Sequence, residues 1–221
     1  MAVIHRTELR PSKLELLAAW LPTRTWYHGG AGEPTLAKAG GFRLDDPAGE
    51  VGIEFMVVTD ASAAYLVPLS YRGAPLDGAE DALVGTMEHG VLGRRWAYDG
   101  CHDPVLVGQL MALIEGRAQA QAQNVSDTPD REVARAHTGT GPVPTEFTAV
   151  VDDRDGTELR AAHDTTLRLH RALRPAPDGR VLPPSGATGH VAGAWRTPDG
   201  PRARGLFAVL RTDGRSAGTS R

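Results

Sequence analysis

The segment VGIEFMVVTD, residues 51–60, alternates apolar side chains with others at a period of two. Ile53, Phe55 and Val57 occupy every second position, which predicts a β-strand with one buried face. Similar runs recur at short intervals: GFRLDD, AYLVPLSYRG, ALVGTMEHG, RRWAYDG, EFTAVV, GTELRAA, TTLRLHRAL, HVAGAWRT and ARGLFAVLRT. Because short turns separate most of these runs, the chain is predicted to be rich in antiparallel strands.

Two segments have a helical period instead. Ser12 and Glu15 are spaced as a capping box before the apolar positions of KLELLAAW, and Pro22 ends this helix. The second helix is predicted in DPVLVGQLMALIEGRA, where His102 or Asp103 caps the first turn and Pro104 fits it. Strands with few helices and no regular alternation between them predict the α+β class.

The order of these segments predicts two folded units. Residues 1–117 form a first unit, an antiparallel sheet packed on the second helix. Residues 118–144 are polar, contain proline and lack an apolar period, which is typical of a linker. Residues 145–211 form a second, small antiparallel sheet, and residues 212–221 are predicted to be a disordered tail.

Composition excludes several classes of function. The chain has 24 basic and 27 acidic residues, so its charge predicts neither nucleic-acid nor membrane binding. A single cysteine permits no intramolecular disulfide and is typical of a reducing compartment. Since no apolar run approaches the roughly 18 residues of a membrane span, we expect a cytoplasmic protein. The sequence does not define the oligomeric state.

The stretch EHGVLGRRWAYDGCHDP, residues 88–104, contains most of the side chains capable of chemistry. Cys101, His102 and Asp103 are consecutive, so on a strand they alternate faces and do not converge on a metal ion. Adjacency in sequence is also not the spatial pairing that a cysteine nucleophile and its histidine need. We favour a structural interpretation, in which Asp103 caps the helix and Cys101 packs as a small apolar residue.

Aromatic residues near the amino terminus allow a second kind of site. Trp20, Trp26 and Tyr27 could form a platform on which a sugar stacks, but Trp20 lies on the apolar face of the predicted helix, so for Trp20 we favour packing in the core. The glycines of GGAG match no phosphate-binding loop. The acidic run DDRD, residues 152–155, followed by glycine, predicts a hairpin turn.

Three stretches together resemble a known family: LPTRTWYHGG, AYLVPLSYRGAPLDGAEDALVGTMEHG and YDGCHDPVLVGQLMALIEG. They are similar to the N-terminal cap domain of maltokinases, bacterial enzymes that phosphorylate maltose on the route from trehalose to α-glucan. The resemblance covers residues 14–116. It implies that residues 1–117 are a cap domain of this kind.

The second half resembles the part of those kinases that follows the cap. GTELRAAHDTTLRLHRALRP and HVAGAWRTPDGPRARGLFAVLR are similar to strands of an aminoglycoside-phosphotransferase-like N-lobe, so the resemblance implies an N-lobe-like sheet at 145–211. Arg168 stands where the phosphate-binding lysine of that family would be, and a guanidinium does not reproduce a compact ammonium group. No H-x-D catalytic loop follows, and ten residues come after Arg211, so we expect no catalytic lobe.

The resemblance therefore implies a pseudokinase-like remnant without catalytic, cofactor-binding or metal-binding residues. We expect a non-catalytic accessory or regulatory protein of α-glucan, maltose, trehalose and glycogen metabolism, whose partner is an enzyme of that pathway. The candidate contacts with ligand or partner are Trp20, Trp26, Tyr27 and Arg168. The alternatives are a carbohydrate sensor, favoured by an exposed aromatic groove, and a small enzyme that uses Glu88, His102 and Asp103, favoured by a deep pocket at these residues.

Overall fold

The computed structural model describes residues 9–30, 32–61, 63–125, 127–139, 144 and 146–212. Its α-helices are α1 (Lys13–Trp20) and α2 (Pro104–Glu115). Its strands are β1 (Leu9–Arg10), β2 (Ala37–Leu44), β3 (Gly52–Asp60), β4 (Ala63–Arg72), β5 (Leu83–His89), β6 (Gly93–Asp99), β7 (Gln121–Ala122), β8 (Ala134–His137), β9 (Ala149–Asp152), β10 (Gly156–Arg160), β11 (Thr165–His170), β12 (Gly189–Arg196) and β13 (Arg202–Thr212). The predicted α+β class with antiparallel pairing is confirmed.

The strands from both halves of the chain form one hydrogen-bonded path. Their order is β1-β5-β6-β4-β3-β2-β12-β13-β11-β10-β9, with β7 paired to β2 and β8 paired to β12. The two predicted sheets meet where Gly40 of β2 lies opposite Trp195 of β12. A side chain at Gly40 would lie 3.0 Å from the carbonyl oxygen of Ala194, so glycine permits this close approach. The sequence alone did not predict the junction.

A second junction closes part of the sheet on itself. The amide of Leu66 in β4 donates to the carbonyl of Arg171, and the amide of Leu173 donates to the carbonyl of Ala64, both at 2.8 Å. The chain after β11 therefore pairs with the start of β4. The strands β4, β3, β2, β12, β13 and β11 form a closed ring, and the remaining strands extend from it.

The larger core lies where α2 meets strands from both halves. The apolar side chains of α2, among them Leu106, Leu110 and Ile114, pack in one cluster with Phe42 of β2 and Phe207 of β13. Helix α2 thus packs against strands of both halves. A smaller core lies under α1 and contains Leu17, Trp20, Trp26, Met56, Val58, Tyr65 and Val67.

Both helices begin as their sequences predict. Ser12 accepts from the amide of Glu15, and the Glu15 carboxylate accepts from the amide of Ser12, which completes the capping box. Of the two predicted caps of α2, Asp103 is the one observed, because its side chain accepts from the amide of Val105. Helix α2 ends at Gly116, whose positive φ of 85° favours glycine.

The segment predicted as a linker, residues 118–144, contains ordered structure where it is described. It includes β7 and β8, which pair with β2 and β12. The division into domains stays a prediction. Of the predicted tail, Thr212 ends β13 and residues 213–221 lie outside the described residues. In the described part of the chain, neither helix has the length and apolar character to span a membrane.

Candidate ligand and partner site

The side chains of residues 88–103 do not assemble into one site. Glu88 forms an exposed ion pair with Arg94, with Nε 3.0 Å from the carboxylate. Asp103 pairs instead with Arg72, and His102 is exposed. Glu88, His102 and Asp103 therefore have separate environments in the described structure.

Asp103 is fully buried and satisfied by two partners. Arg72 donates Nε and Nη2 to its two carboxylate oxygens, each at 2.7 Å, and the amide of Val105 donates at 2.9 Å. Burial alone would raise the pKa of Asp103, but the hydrogen bonds from Arg72 and the charge of Arg72 outweigh it and lower the pKa. Asp103 is therefore an anion that joins the start of α2 to the end of β4.

Cys101 has the environment of a structural residue. It is 2 % exposed and packs in the larger core. Burial raises the pKa of its thiol, against the opposing effect of Arg171. The thiol therefore stays protonated at neutral pH, as its predicted role of a small apolar residue requires.

The aromatic candidates lie largely inside the protein. Trp20 is 6 % exposed, Trp26 is fully buried, and their rings meet edge to face with centroids 5.7 Å apart. Tyr27 is half-buried and donates its hydroxyl to Asp60, and burial and this carboxylate raise the pKa of Tyr27. The core packing predicted for Trp20 is observed. Tyr27 is the more accessible of these three residues.

A buried ion pair that sequence reasoning missed joins the two halves. Arg171 is fully buried, and its Nη2 lies 2.6 Å from both carboxylate oxygens of Asp99. Its Nε donates to Thr157 at 2.8 Å, and its guanidinium lies 4.9 Å from the ring centroid of Trp26. The sequence held a signal that Arg171 is buried, because the inward positions of TTLRLHRAL repeat at a period of two from Leu167 to residue 171.

Arg168 lies on the outer face of β11, whereas the neighbouring Leu167 and Leu169 lie on its buried face. Its Nη1 and Nη2 both donate to Asp153, with Nη2 2.7 Å from Oδ1. These hydrogen bonds hold the pKa of Asp153 well below its usual range. Asp153 also accepts from the amides of Asp155 and Gly156, which confirms the predicted hairpin turn. Arg168 is therefore paired within its own sheet.

A groove of about 660 Å³ adjoins Arg168. Its lining includes the basic residues Arg168, His170, Arg174 and Arg180 and the apolar residues Pro175, Pro177, Val181, Leu182 and Leu206. Two carboxylates also line it, and one of them, Asp155, binds Arg174 at 2.9 Å. A groove lined by both apolar and polar side chains is typical of a ligand or partner site.

His170 contributes an uncharged group to this groove. Its Nε2 is buried and has no hydrogen-bond partner among the described residues. Burial lowers the pKa of His170, and the neighbouring Arg168, Arg211 and Arg174 lower it further. The imidazole is therefore neutral at pH 7. No group of three potential metal ligands occurs among the residues that the structure describes.

These features define an antiparallel α+β chain in which Trp20 and Trp26 are buried, Tyr27 is half-buried, and an open groove lies in the carboxyl-terminal half. Residues 20–103, a segment that contains β2 to β6, match the maltokinase N-terminal cap domain family. The resemblance is confirmed for this segment, which is about two fifths of the chain. This segment is thus similar to the cap domain of maltokinases.

Proposed function

We propose that this chain is a non-catalytic accessory protein of α-glucan, maltose and trehalose metabolism, which acts by binding an enzyme of that pathway. The observation that carries the proposal is the engagement of its reactive side chains in structural contacts. Asp103 caps α2 and pairs with Arg72, while Arg168 is held by two hydrogen bonds to Asp153. The match of residues 20–103 to the maltokinase cap supports the choice of pathway.

The second half is proposed to be a kinase N-lobe-like sheet without phosphotransfer activity. Its strands β9, β10, β11, β13 and β12 are neighbours in this order and all antiparallel, which supports the relation. Arg168 stands at the position of the phosphate-binding lysine, but Asp153 neutralises it. A positioned cation must face the transferring phosphoryl group to stabilise its charge.

The groove beside Arg168 is the proposed contact surface for the partner. Arg174 is 79 % exposed in its side chain, and Leu182 is 71 % exposed. Arginine is enriched at protein–protein interfaces, and this exposed leucine lines the same groove. The alternative of a carbohydrate sensor would use Tyr27, the accessible member of the aromatic group.

An assay of phosphotransfer tests the non-catalytic part of the proposal. We expect no sugar-dependent release of ADP when the protein is incubated with ATP and maltose, glucose or glucosamine. Sustained ADP release that Arg168→Ala abolishes would overturn it. A maltokinase assayed in parallel shows that the conditions support the reaction.

A charge-reversal experiment tests the contact surface. Purified maltokinase and trehalose-pathway enzymes are immobilised in turn, and binding of the chain is measured by interferometry. The double variant Arg174→Glu/Arg180→Glu should lose binding by more than about tenfold, since it places like charges or unpaired groups at the contact. The control Arg131→Glu/Arg196→Glu makes the same charge change at exposed positions outside the groove and should bind as the parent. Equal loss in both variants would argue against the groove.

A further inference from the structure

Both lysines of the chain lie at one carboxylate. Lys13 and Lys38 are the two lysines among 24 basic residues, and the other 22 are arginines. Lys13 belongs to α1 and Lys38 to β2, yet both form ion pairs with Glu54 of β3. Glu54 is 4 % exposed. The two amines therefore share one buried counter-ion.

The Glu54 carboxylate accepts hydrogen bonds from three groups other than Lys38. Lys13 donates to Oε2, the Tyr71 hydroxyl donates to the same oxygen at 2.8 Å, and Gln123 Nε2 donates to Oε1 at 3.1 Å. Lys13 also lies over the Tyr71 ring, 4.8 Å from its centroid. Burial alone would raise the pKa of Glu54, but the charge of Lys13 and its hydrogen bond lower it. Lys13 is therefore a tightly bound ammonium.

Lys38 is held more loosely. Its Nζ lies 3.9 Å from Glu54 Oε1 and 3.5 Å from Asn124 Oδ1, the outer limit of a hydrogen bond. Its side chain is 38 % exposed and that of Lys13 is 30 % exposed, so solvent reaches both side chains and the difference between them lies in their partners. Burial lowers the pKa of Lys38, Glu54 opposes this, and the charge of Lys13 lowers it again.

We propose that Lys38 is a site of acylation by acyl phosphates or acyl thioesters, and that Lys13 is protected. The neutral amine of Lys38 attacks the acyl carbon and an amide bond forms. The bond from that carbon to phosphate or sulfur breaks, phosphate or thiol leaves, and the amine loses a proton to solvent. The product is an uncharged amide, so Glu54 keeps Lys13 as its cation.

Limited acetylation of the folded protein tests this selectivity. The protein is treated with a small excess of acetyl phosphate, and peptide mass spectrometry gives the initial rate of acetylation at each lysine. Lys13 must first break its hydrogen bond to Glu54, whereas Lys38 lies 3.9 Å from that carboxylate, so we expect Lys38 to react more than about fivefold faster than Lys13. In denaturant the two rates should be equal. A folded-state ratio at or below that threshold, or faster reaction at Lys13, would overturn the proposal.

Conservative variants keep the test independent of any loss of folding. Lys38→Arg should remove most lysine acetylation, whereas Lys13→Arg should leave the rate at Lys38 within about twofold, because arginine keeps the charge beside Glu54. Glu54→Gln, if folded by circular dichroism, should release Lys13 and bring the two rates together. If lysine acetylation survived in Lys38→Arg and disappeared in Lys13→Arg, the reactive amine would be that of Lys13, and the proposal would be wrong.

Discussion

Single side chains in this protein serve several elements at once. Asp103 caps α2 and also binds Arg72 at the end of β4. The cap was predictable because a carboxylate followed by proline at the start of an apolar helical run is a local pattern. The Arg72 partner was not, since it lies 31 residues away in the chain and no local pattern relates the two.

Asp103→Ala should destabilise the protein by about 3 kcal/mol, because it removes a helix cap and leaves the partly buried Arg72 without its counter-ion. Asp103→Asn keeps a capping oxygen and should lose less. His102→Ala, at an exposed neighbouring position, should change stability by less than about 0.5 kcal/mol. Urea unfolding of the three variants gives these free energies, and equal effects for Ala and Asn would exclude a cap.

His170 should make the protein lose stability as the pH falls through about 6.5, the ordinary pKa of histidine. Its pKa is lowered in the folded protein by burial and by Arg168, Arg211 and Arg174, with Asp155 opposing. Below about pH 6.5 the unfolded chain binds a proton at this residue that the folded chain does not, so stability falls as pH falls. The variant His170→Gln should lose less stability than the parent over this range, measured by urea unfolding at each pH. If the free energies of unfolding of the parent and of His170→Gln changed equally with pH, His170 would not be the group responsible.

At the scale of elements, most boundaries follow from local chemistry. The period-two runs predicted the long strands, and the capping box and Asp103 placed the helix starts to the residue. The short strands β7 and β8 were missed because GRAQAQAQ and DREVARAH carry little apolar pattern. Their backbone groups are paired by neighbours distant in sequence, β2 and β12. Pairing of that kind is a tertiary effect that local propensity does not encode.

A glycine inside α2 and the glycine that caps its end should respond in opposite ways to alanine. Gly116 has φ 85° at the carboxyl-terminal cap, and a Cβ there would meet the Arg135 guanidinium, so Gly116→Ala should destabilise by about 1 kcal/mol. Gly108 lies inside the helix, and a Cβ added there would have none of the described atoms within 4 Å, apart from those of its chain neighbours and of the adjacent helix backbone. Because alanine has a higher helix propensity than glycine, Gly108→Ala should stabilise the protein by about 1 kcal/mol. Thermal melts of both variants test this. Shifts of the same sign would mean that the cap is placed wrongly.

At the scale of the molecule, the two halves share a sheet and a core. The sequence predicted the strands of each half but not their union, because the residues that make it are a glycine and a buried arginine. From the sequence alone, Gly40 is typical of a turn, and Arg171, one of 22 arginines, is typical of a charged residue at the surface. Of the candidate site, the structural role of residues 88–104 was predictable, whereas the groove beside Arg168 depends on side chains that meet through folding.

The Asp99–Arg171 pair should be a major support of that union. Arg171→Met leaves the buried Asp99 carboxylate without its counter-ion and should destabilise by about 3–5 kcal/mol. In the double variant Asp99→Leu/Arg171→Met no unpaired charge is left, so the loss should be smaller than the sum of the single losses. A double-mutant cycle by urea unfolding measures the coupling, and additive losses would show that the pair does not act as a unit.

The closed ring also sets an order of events during synthesis. Leu66 is translated about 105 residues before Arg171, whose carbonyl accepts its amide hydrogen. At typical elongation rates of about 5–20 residues per second, β4 waits several seconds for its partner. During that interval the first part of the β4 edge is exposed on the nascent chain, and the larger core lacks its last members, among them Val191, Trp195 and Phe207. Exposed strand edges bind chaperones or each other, so the yield of folded protein from the ribosome should depend on chaperone supply more strongly than the final stability suggests.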